Sequence, residues 1–274
     1  MYQMMSLPLY SGTFQEYDSW RDLGQELERL GCDGIEGVWG GEDLPKDLPA
    51  ELILGYHLIF YPDWLDFYRD DRAALKQKFG SLEAVASFYG GLGPDTLLEQ
   101  YRADLRRAVN LGARYVVFHV SDVSLEEGYT YRWLPTNQEV IDAAVEVVNL
   151  ILGEERWPFE FLVENQWWPG FTFTEPEETA RLLEGIRFAG KGILLDTGHL
   201  MNACTELKTE AEGADYIRSM LNRHGSLAKW VRGVHLHQSL SGAYVKAHTG
   251  SLPAGLPEDY MERFGVSYQH ILQI

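Results

Sequence analysis

Seven short apolar runs, separated by segments with helical spacing, constrain the fold of this chain more than any other feature. They cover residues 4–10, 33–38, 52–60, 114–120, 159–163, 193–195 and 230–236. Runs this short and this apolar suit strands buried on both faces, as in a parallel sheet covered by helices. Helical patterns fill residues 15–30, 96–111, 137–152, 175–187 and 210–221. In the first of these Trp20, Leu23, Leu27 and Leu30 share a stripe, and in the third Val140, Ile141, Ala144, Val147, Val148 and Ile151 do. Strands alternating with helices, and no short repeat, predict a parallel α/β architecture.

The connection between the third and fourth runs is longer than a crossover needs. Residues 64–79 and 82–89 read as extra helices, and Gly90, Gly91, Gly93 and Pro94 punctuate the chain before the crossover helix. We therefore expect a helical insertion at about residues 62–93 within a single barrel domain spanning 1–274. Gly31 reads as a helix C-cap, Pro176 as a first-turn proline, and residues 44–49 as a Pro-rich connection.

Ligand-type residues recur where the runs end. His57 lies in the third run and His119 in the fourth; Glu164 follows the fifth, Asp196 and His199 follow the sixth, and His235 and His237 close the seventh. A closed barrel brings several strand ends to one centre, whereas an open sheet spreads them along a line. The expected fold is therefore a (β/α)8 barrel.

Glu164, Asp196 and His235 form a mixed oxygen and nitrogen set suited to one divalent ion, Mn²⁺, Zn²⁺, Co²⁺ or Mg²⁺. Singly, each has a plainer explanation: Asp196 as a helix N-cap, Glu164 as a carboxylate satisfied by an Arg or by backbone N–H groups. Their recurrence at three consecutive strand ends favours the metal. His57, His119 and His199 either hydrogen-bond in the wall or touch metal or substrate, and His237 shares a face with His235 and would support it from behind. Trp167, Trp168 and Phe171 either wall a sugar face or pack under the rim. His224, His248 and His270 are read as surface or structural.

Charge narrows the partners. The 274 residues carry a net charge of −18, which repels a polyphosphate on average, so nucleic acid is not expected. No apolar run reaches the roughly 18 residues of a membrane span, and no secretory signal is evident. Two cysteines, Cys32 and Cys204, make no disulfide framework and point to the cytoplasm. No P-loop or dinucleotide fingerprint is present.

Asp-Gly-Ile-Glu ending at Glu36, Val-Glu-Asn around Glu164, Asp-Thr-Gly-His from Asp196 to His199 and Val-His-Leu-His around His235 make the chain resemble the xylose-isomerase-like barrel superfamily. That superfamily includes sugar isomerases and epimerases and the AP-endonuclease family 2 enzymes. The resemblance implies metal ligands at Glu164, Asp196 and His235, completed in the family by a glutamate on strand eight. In its nuclease branch His57, His119 and His199 would hold further metals, and in its epimerase branch His199 would contact a substrate hydroxyl. The departure lies at the C-terminus, where no eighth strand or carboxylate is readable before Ile274. The eighth strand is thus apparently missing, and we read the chain as truncated. The implied activity is a metal-dependent sugar or sugar-phosphate isomerase or epimerase, working by enediolate-type proton transfer on a small polyhydroxy carbonyl compound. Glu164 and His199 would be catalytic, and His57, His119, His199, His237, Trp167 and Trp168 would bind substrate. A divalent-metal phosphodiesterase and a non-catalytic sugar-binding barrel are the alternatives, and a homo-oligomer is left open.

Overall fold

Each apolar run becomes a strand, and each strand pairs with the next in parallel. In a computed structural model that describes residues 1–44 and 48–274, the strands are β1 (Met4–Leu9), β2 (Gly34–Trp39), β3 (Ile53–His57), β4 (Tyr115–His119), β5 (Glu160–Glu164), β6 (Lys191–Asp196) and β7 (Val231–His235). They form one sheet in that order, so every connection is a crossover to the adjacent strand. This is the TIM-barrel arrangement, with seven parallel strands among the described residues. Residues 45–47, inside the Pro-rich connection, lie outside the described residues.

Two-residue alternation sorts the strand side chains into an inner and an outer layer. On the inner face Val117, Leu162 and Leu194 form a small buried cluster, with Tyr115 packed against it. His119, Glu164 and Asp196 stand two residues further along the same strands, so alternation stacks the polar centre on this apolar floor. Gly55 makes room within the floor, since a Cβ there would clash with the Tyr115 ring. The outer face carries the main core. Val116, Phe118, Phe161, Val163, Ile193 and Leu195 are buried there among helical residues such as Leu105, Val147 and Leu182. Burial of each larger side chain contributes about 1.5–3 kcal/mol. β7 differs, for Val234 on its outer side and Leu236 just beyond it are 54% and 83% exposed.

The helices read from the sequence are present with two corrections, and those at 125–130, 197–202, 242–248 and 260–271 are not read from it. The pattern over 15–30 is helical only over α2 (Trp20–Leu30), and a single turn, α1 (Ser11–Phe14), lies ahead of it. The Ser19 side chain caps α2 by accepting from the Asp22 N–H, and a capped start at Trp20 wins over an earlier one. Gly31 ends α2 with φ +72°, as expected of a C-cap. The pattern over 64–79 breaks into α3 (Leu65–Tyr68) and α4 (Arg72–Phe79). Asp70 takes a left-handed φ of +51°, and the Asp71 carboxylate caps the Ala73 and Ala74 N–H groups. Then come α5 (Leu82–Tyr89), the crossover α6 (Pro94–Asn110), α7 (Leu125–Thr130), α8 (Asn137–Leu152), α9 (Pro176–Gly185), α10 (Thr197–Asn202), α11 (Glu210–His224), α12 (Gly242–His248) and α13 (Tyr260–Ile271).

A buried charge cluster braces the loops above β3 and β4. Lys78 on α4 reaches Asp63 and Asp66, each at 2.7 Å. Asp122, past β4, accepts from the Trp64 and Leu65 N–H groups at 2.7 and 2.8 Å and so caps α3. Burial, reinforced by neighbouring carboxylates, pushes the Asp63 and Asp122 carboxyls above their usual range. His224 proves structural: it is buried, stacked on Phe173 and hydrogen-bonded to Thr179. His270 stacks on Tyr129, and His248 is exposed.

Candidate metal centre

Strand register brings the ligand-type residues together. His119 is paired with Glu164 across β4 and β5, and Asp196 with His235 across β6 and β7. Glu164, 1% exposed, lies at the middle of the group. Its Oε2 is 3.2 Å from His57 Nε2 and 3.0 Å from His119 Nε2, and these two nitrogens are 3.0 Å apart. Its Oε1 is 3.1 Å from His199 Nδ1 and 3.4 Å from His235 Nδ1. One carboxylate therefore serves two groups of imidazoles.

Asp196 divides its oxygens in the same way. Oδ1 caps α10 by accepting from the His199 N–H at 2.7 Å, so the N-cap explanation holds. Oδ2 remains toward the centre, 3.6 Å from His235 Nδ1, 3.7 Å from His199 Nδ1 and 3.5 Å from His237 Nε2. Capping thus fixes the side chain that the centre uses. Asn165, fully buried, clamps the same strand end, accepting from the Asp196 N–H at 2.8 Å and donating to its carbonyl at 3.0 Å.

Glu36, on β2, belongs to the centre although the strand-end pattern does not single it out. It is 3% exposed, its Oε1 lies 2.9 Å from His235 Nε2, and Tyr115 donates to its Oε2 at 2.6 Å. With Nε2 engaged by Glu36, the Nδ1 of His235 faces Glu164 and Asp196. The available signal was a glutamate inside an otherwise apolar strand.

The remaining expected residues spread around this core. His237 lies beyond β7 with a side chain 61% exposed, anchored by its N–H to Thr197 Oγ1 at 2.8 Å. The Trp167 ring sits 5.1 Å from that of His199, and Trp168 packs on Trp167 at 4.2 Å. Gln166, buried and 2.9 Å from His199 Nδ1, is a further neighbour that sequence reasoning missed.

Electrostatics follow from burial and this carboxylate. Burial opposes ionisation of Glu164, but the surrounding imidazoles outweigh it and hold the carboxyl well below its usual range. Burial drives His119 down to about 4, so this imidazole is neutral near pH 7. His235 moves the other way. Against burial, its contacts with Asp196, Glu164 and Glu36 raise it to about 12. His57 and His199 are also raised, in each case by Glu164 against burial.

The donor set fits a metal. Tetrahedral bonds of about 2.0–2.1 Å separate donors by roughly 3.3 Å, close to the 3.4 and 3.6 Å from His235 Nδ1 to Glu164 Oε1 and Asp196 Oδ2, and to the 3.0–3.2 Å among His57, His119 and Glu164. A second convergent set is Glu164, Asp196 and His199. His57 Nδ1 is occupied by the Leu58 carbonyl at 2.9 Å, an arrangement that presents Nε2 as a ligand. Among the described residues His119 Nδ1 is buried without a partner, so the ring meets its neighbours through Nε2.

A family profile described as a xylose isomerase-like TIM barrel matches residues 25–264. The chain belongs to this family. A comparison with curated proteins finds no match. Among solved structures, the barrel is similar to endonuclease IV from Thermus thermophilus, with 14% identity over the whole of both chains and a TM-score of 0.47. It is similar to 3-keto-D-glucoside 4-epimerase from E. coli, with 11% identity over 99% of this chain and all of that one, and a TM-score of 0.49. It also resembles AsfvAP:AG, with 13% identity over 98% of this chain and 84% of that one, and a TM-score of 0.51. At such identities the likeness is one of fold. Members of the xylose isomerase-like family isomerise, epimerise, dehydrate or cleave, so activity must be argued from the centre itself.

Proposed function

We propose that the protein is a metal-dependent isomerase or epimerase of small polyhydroxy carbonyl compounds. The observation that carries this reading is the double engagement of Glu164. One oxygen faces Asp196, His199 and His235, and the other faces the His57 and His119 wall. Glu164, Asp196 and His235 would hold one divalent ion, whose Lewis acidity lowers the cost of negative charge on a substrate carbonyl oxygen. Glu164 Oε2 is the base toward a carbon-bound α-proton, in keeping with a carboxyl held ionised. His57 and His119 hold substrate hydroxyls, and His199, fixed by Gln166 and the Asn165 carbonyl, holds another and assists proton transfer. Trp167 and His237 complete the polar mouth, while Trp168 lies deeper. The net charge of −18 favours a small substrate over nucleic acid. Among the described residues no helix is long and apolar enough to cross a membrane.

The test joins elemental analysis of the purified protein with a panel of sugars and keto acids in deuterated water. One ion per chain, with exchange at a carbon next to a carbonyl, is the expected result. A metal-loaded protein that exchanges no proton in any panel member would overturn the reading. The same two-sidedness of Glu164 favours a second reading, a phosphodiesterase with a carboxylate shared between ions, and two or more ions with cleavage of a phosphodiester would establish it.

Glu36 supplies a separate prediction. Glu36→Gln keeps the shape but weakens the grip on His235, and metal affinity should fall about 10–100-fold in a chelator competition assay. Unchanged affinity would remove Glu36 from the orientation of His235.

A further inference from the structure

A cavity of about 200 Å³ lies between the loops after β3 and β4 and helix α13. It is separate from the metal centre. Phe60, edge-on to His119 with ring centroids 4.3 Å apart, and the Trp168–Trp167 pair, beside His199, stand between the two. Phe60, Pro62, Val123, Leu125, Phe264 and Ile271 give the cavity apolar walls, and no Lys, Arg, Asp or Glu lines it among the described residues. An ion would enter without a countercharge, so the site suits a neutral occupant.

Three polar atoms of the lining are buried without a hydrogen-bond partner among the described residues: Ser267 Oγ, Trp168 Nε1 and His270 Nε2. Ser267 is 4% exposed and Trp168 5%, and unpaired groups so deeply buried are costly. Their chemistry defines what an occupant must carry. The indole N–H only donates and calls for an acceptor, whereas the serine hydroxyl both donates and accepts. Burial holds the His270 imidazole below its ordinary pKa and therefore neutral near pH 7. With Nδ1 facing the Tyr244 hydroxyl at 3.2 Å, its Nε2 offers one donor or one acceptor. Ser267 and His270 sit three residues apart on α13 yet make no hydrogen bond to each other, so they form no nucleophile–base pair and would bind a ligand without attacking it.

Water meets only part of this demand, because it needs about two to four polar partners and the apolar walls supply none. A protein cavity of roughly 150 Å³ holds benzene, so a six-membered ring with one small substituent fits here. We infer that this cavity is a second small-molecule site, apart from the metal centre, for a neutral ring-sized amide, either an aromatic carboxamide or a lactam. The ring covers the apolar walls, the carbonyl accepts from Trp168, and the amide N–H answers Ser267 or His270.

Ligand-observed NMR on the full chain tests the site, with benzamide as the carboxamide probe and pyridone as the lactam probe. At least one of them is expected to bind, and the one that does identifies the source. Benzoate, which brings an unpaired charge, and toluene, which leaves the polar atoms unpaired, should each bind about tenfold more weakly. Ser267→Ala and Trp168→Phe each delete one polar partner with little change of shape. Each should weaken the amide roughly 2- to 12-fold while leaving toluene unchanged. Chelator-treated protein should bind the amide equally well, since no proposed metal ligand lines the cavity. Binding of neither amide, toluene as tight as the amide, an affinity that neither substitution moves, or loss of binding with the metal would overturn the inference.

Discussion

Replacing Glu164 by Gln is expected to strip the centre of stoichiometric metal and to lower solvent-proton exchange by about 10³-fold, within the range that a positioned acid–base group contributes. The substitution preserves volume and hydrogen-bonding shape but removes a charge that faces His57, His119, His199 and His235 at 3.0–3.4 Å. Both functions assigned to the carboxylate, ligand and base, disappear with that charge. The fold should survive, because the His235 imidazolium keeps Glu36 at 2.9 Å and Asp196 at 3.6 Å. Circular dichroism checks the fold, elemental analysis the metal, and deuterium exchange the reaction. Full activity in Glu164→Gln would remove this residue from the chemistry, and full metal content would remove it from the ligand set.

The parts of this picture legible in sequence are those governed by local periodicity. Short apolar runs reported the strands because β2 to β6 are largely buried on both faces, and the strand ends reported His119, Glu164, Asp196 and His235 because parallel register sets His119 beside Glu164 and Asp196 beside His235. The N-cap explanation of Asp196 holds, and it leaves the other oxygen turned toward the centre. Glu36 escaped for a physical reason. Its partner His235 is 199 residues away, and no local spacing records a contact made only by barrel curvature. The break between α3 and α4 was missed because the apolar stripe runs through it, and the decision rests with the Asp70 backbone and the Asp71 cap. The two-sided use of Glu164 is likewise a property of side-chain convergence, and residue order alone carries no trace of it.

The cluster that braces the loops above the centre yields the largest stability effect. Lys78→Met should destabilise the protein by about 3–5 kcal/mol, the cost of removing one partner from a buried ion pair. The ammonium is largely shielded, with 14% side-chain exposure, and its loss leaves Asp63, Asp66 and the nearby Asp122 without a cation. At about 2–4 °C per kcal/mol the thermal midpoint would fall by about 10 °C. The pH dependence identifies the cause. Burial raises the folded-state pKa of Asp63 and Asp122 above the unfolded value, so folding takes up protons, and the stability this linkage contributes is present at low pH and lost as pH rises through the folded pKa. Without Lys78 the carboxyls have still more reason to be protonated. The deficit of the variant relative to the parent should therefore shrink as pH falls from about 8 to about 5, because a neutral carboxyl needs no cation. Calorimetry at both pH values is the measurement. An equal deficit at the two would mean that Lys78 acts through the packing of its aliphatic stem, and the charge account of this cluster would have to be abandoned.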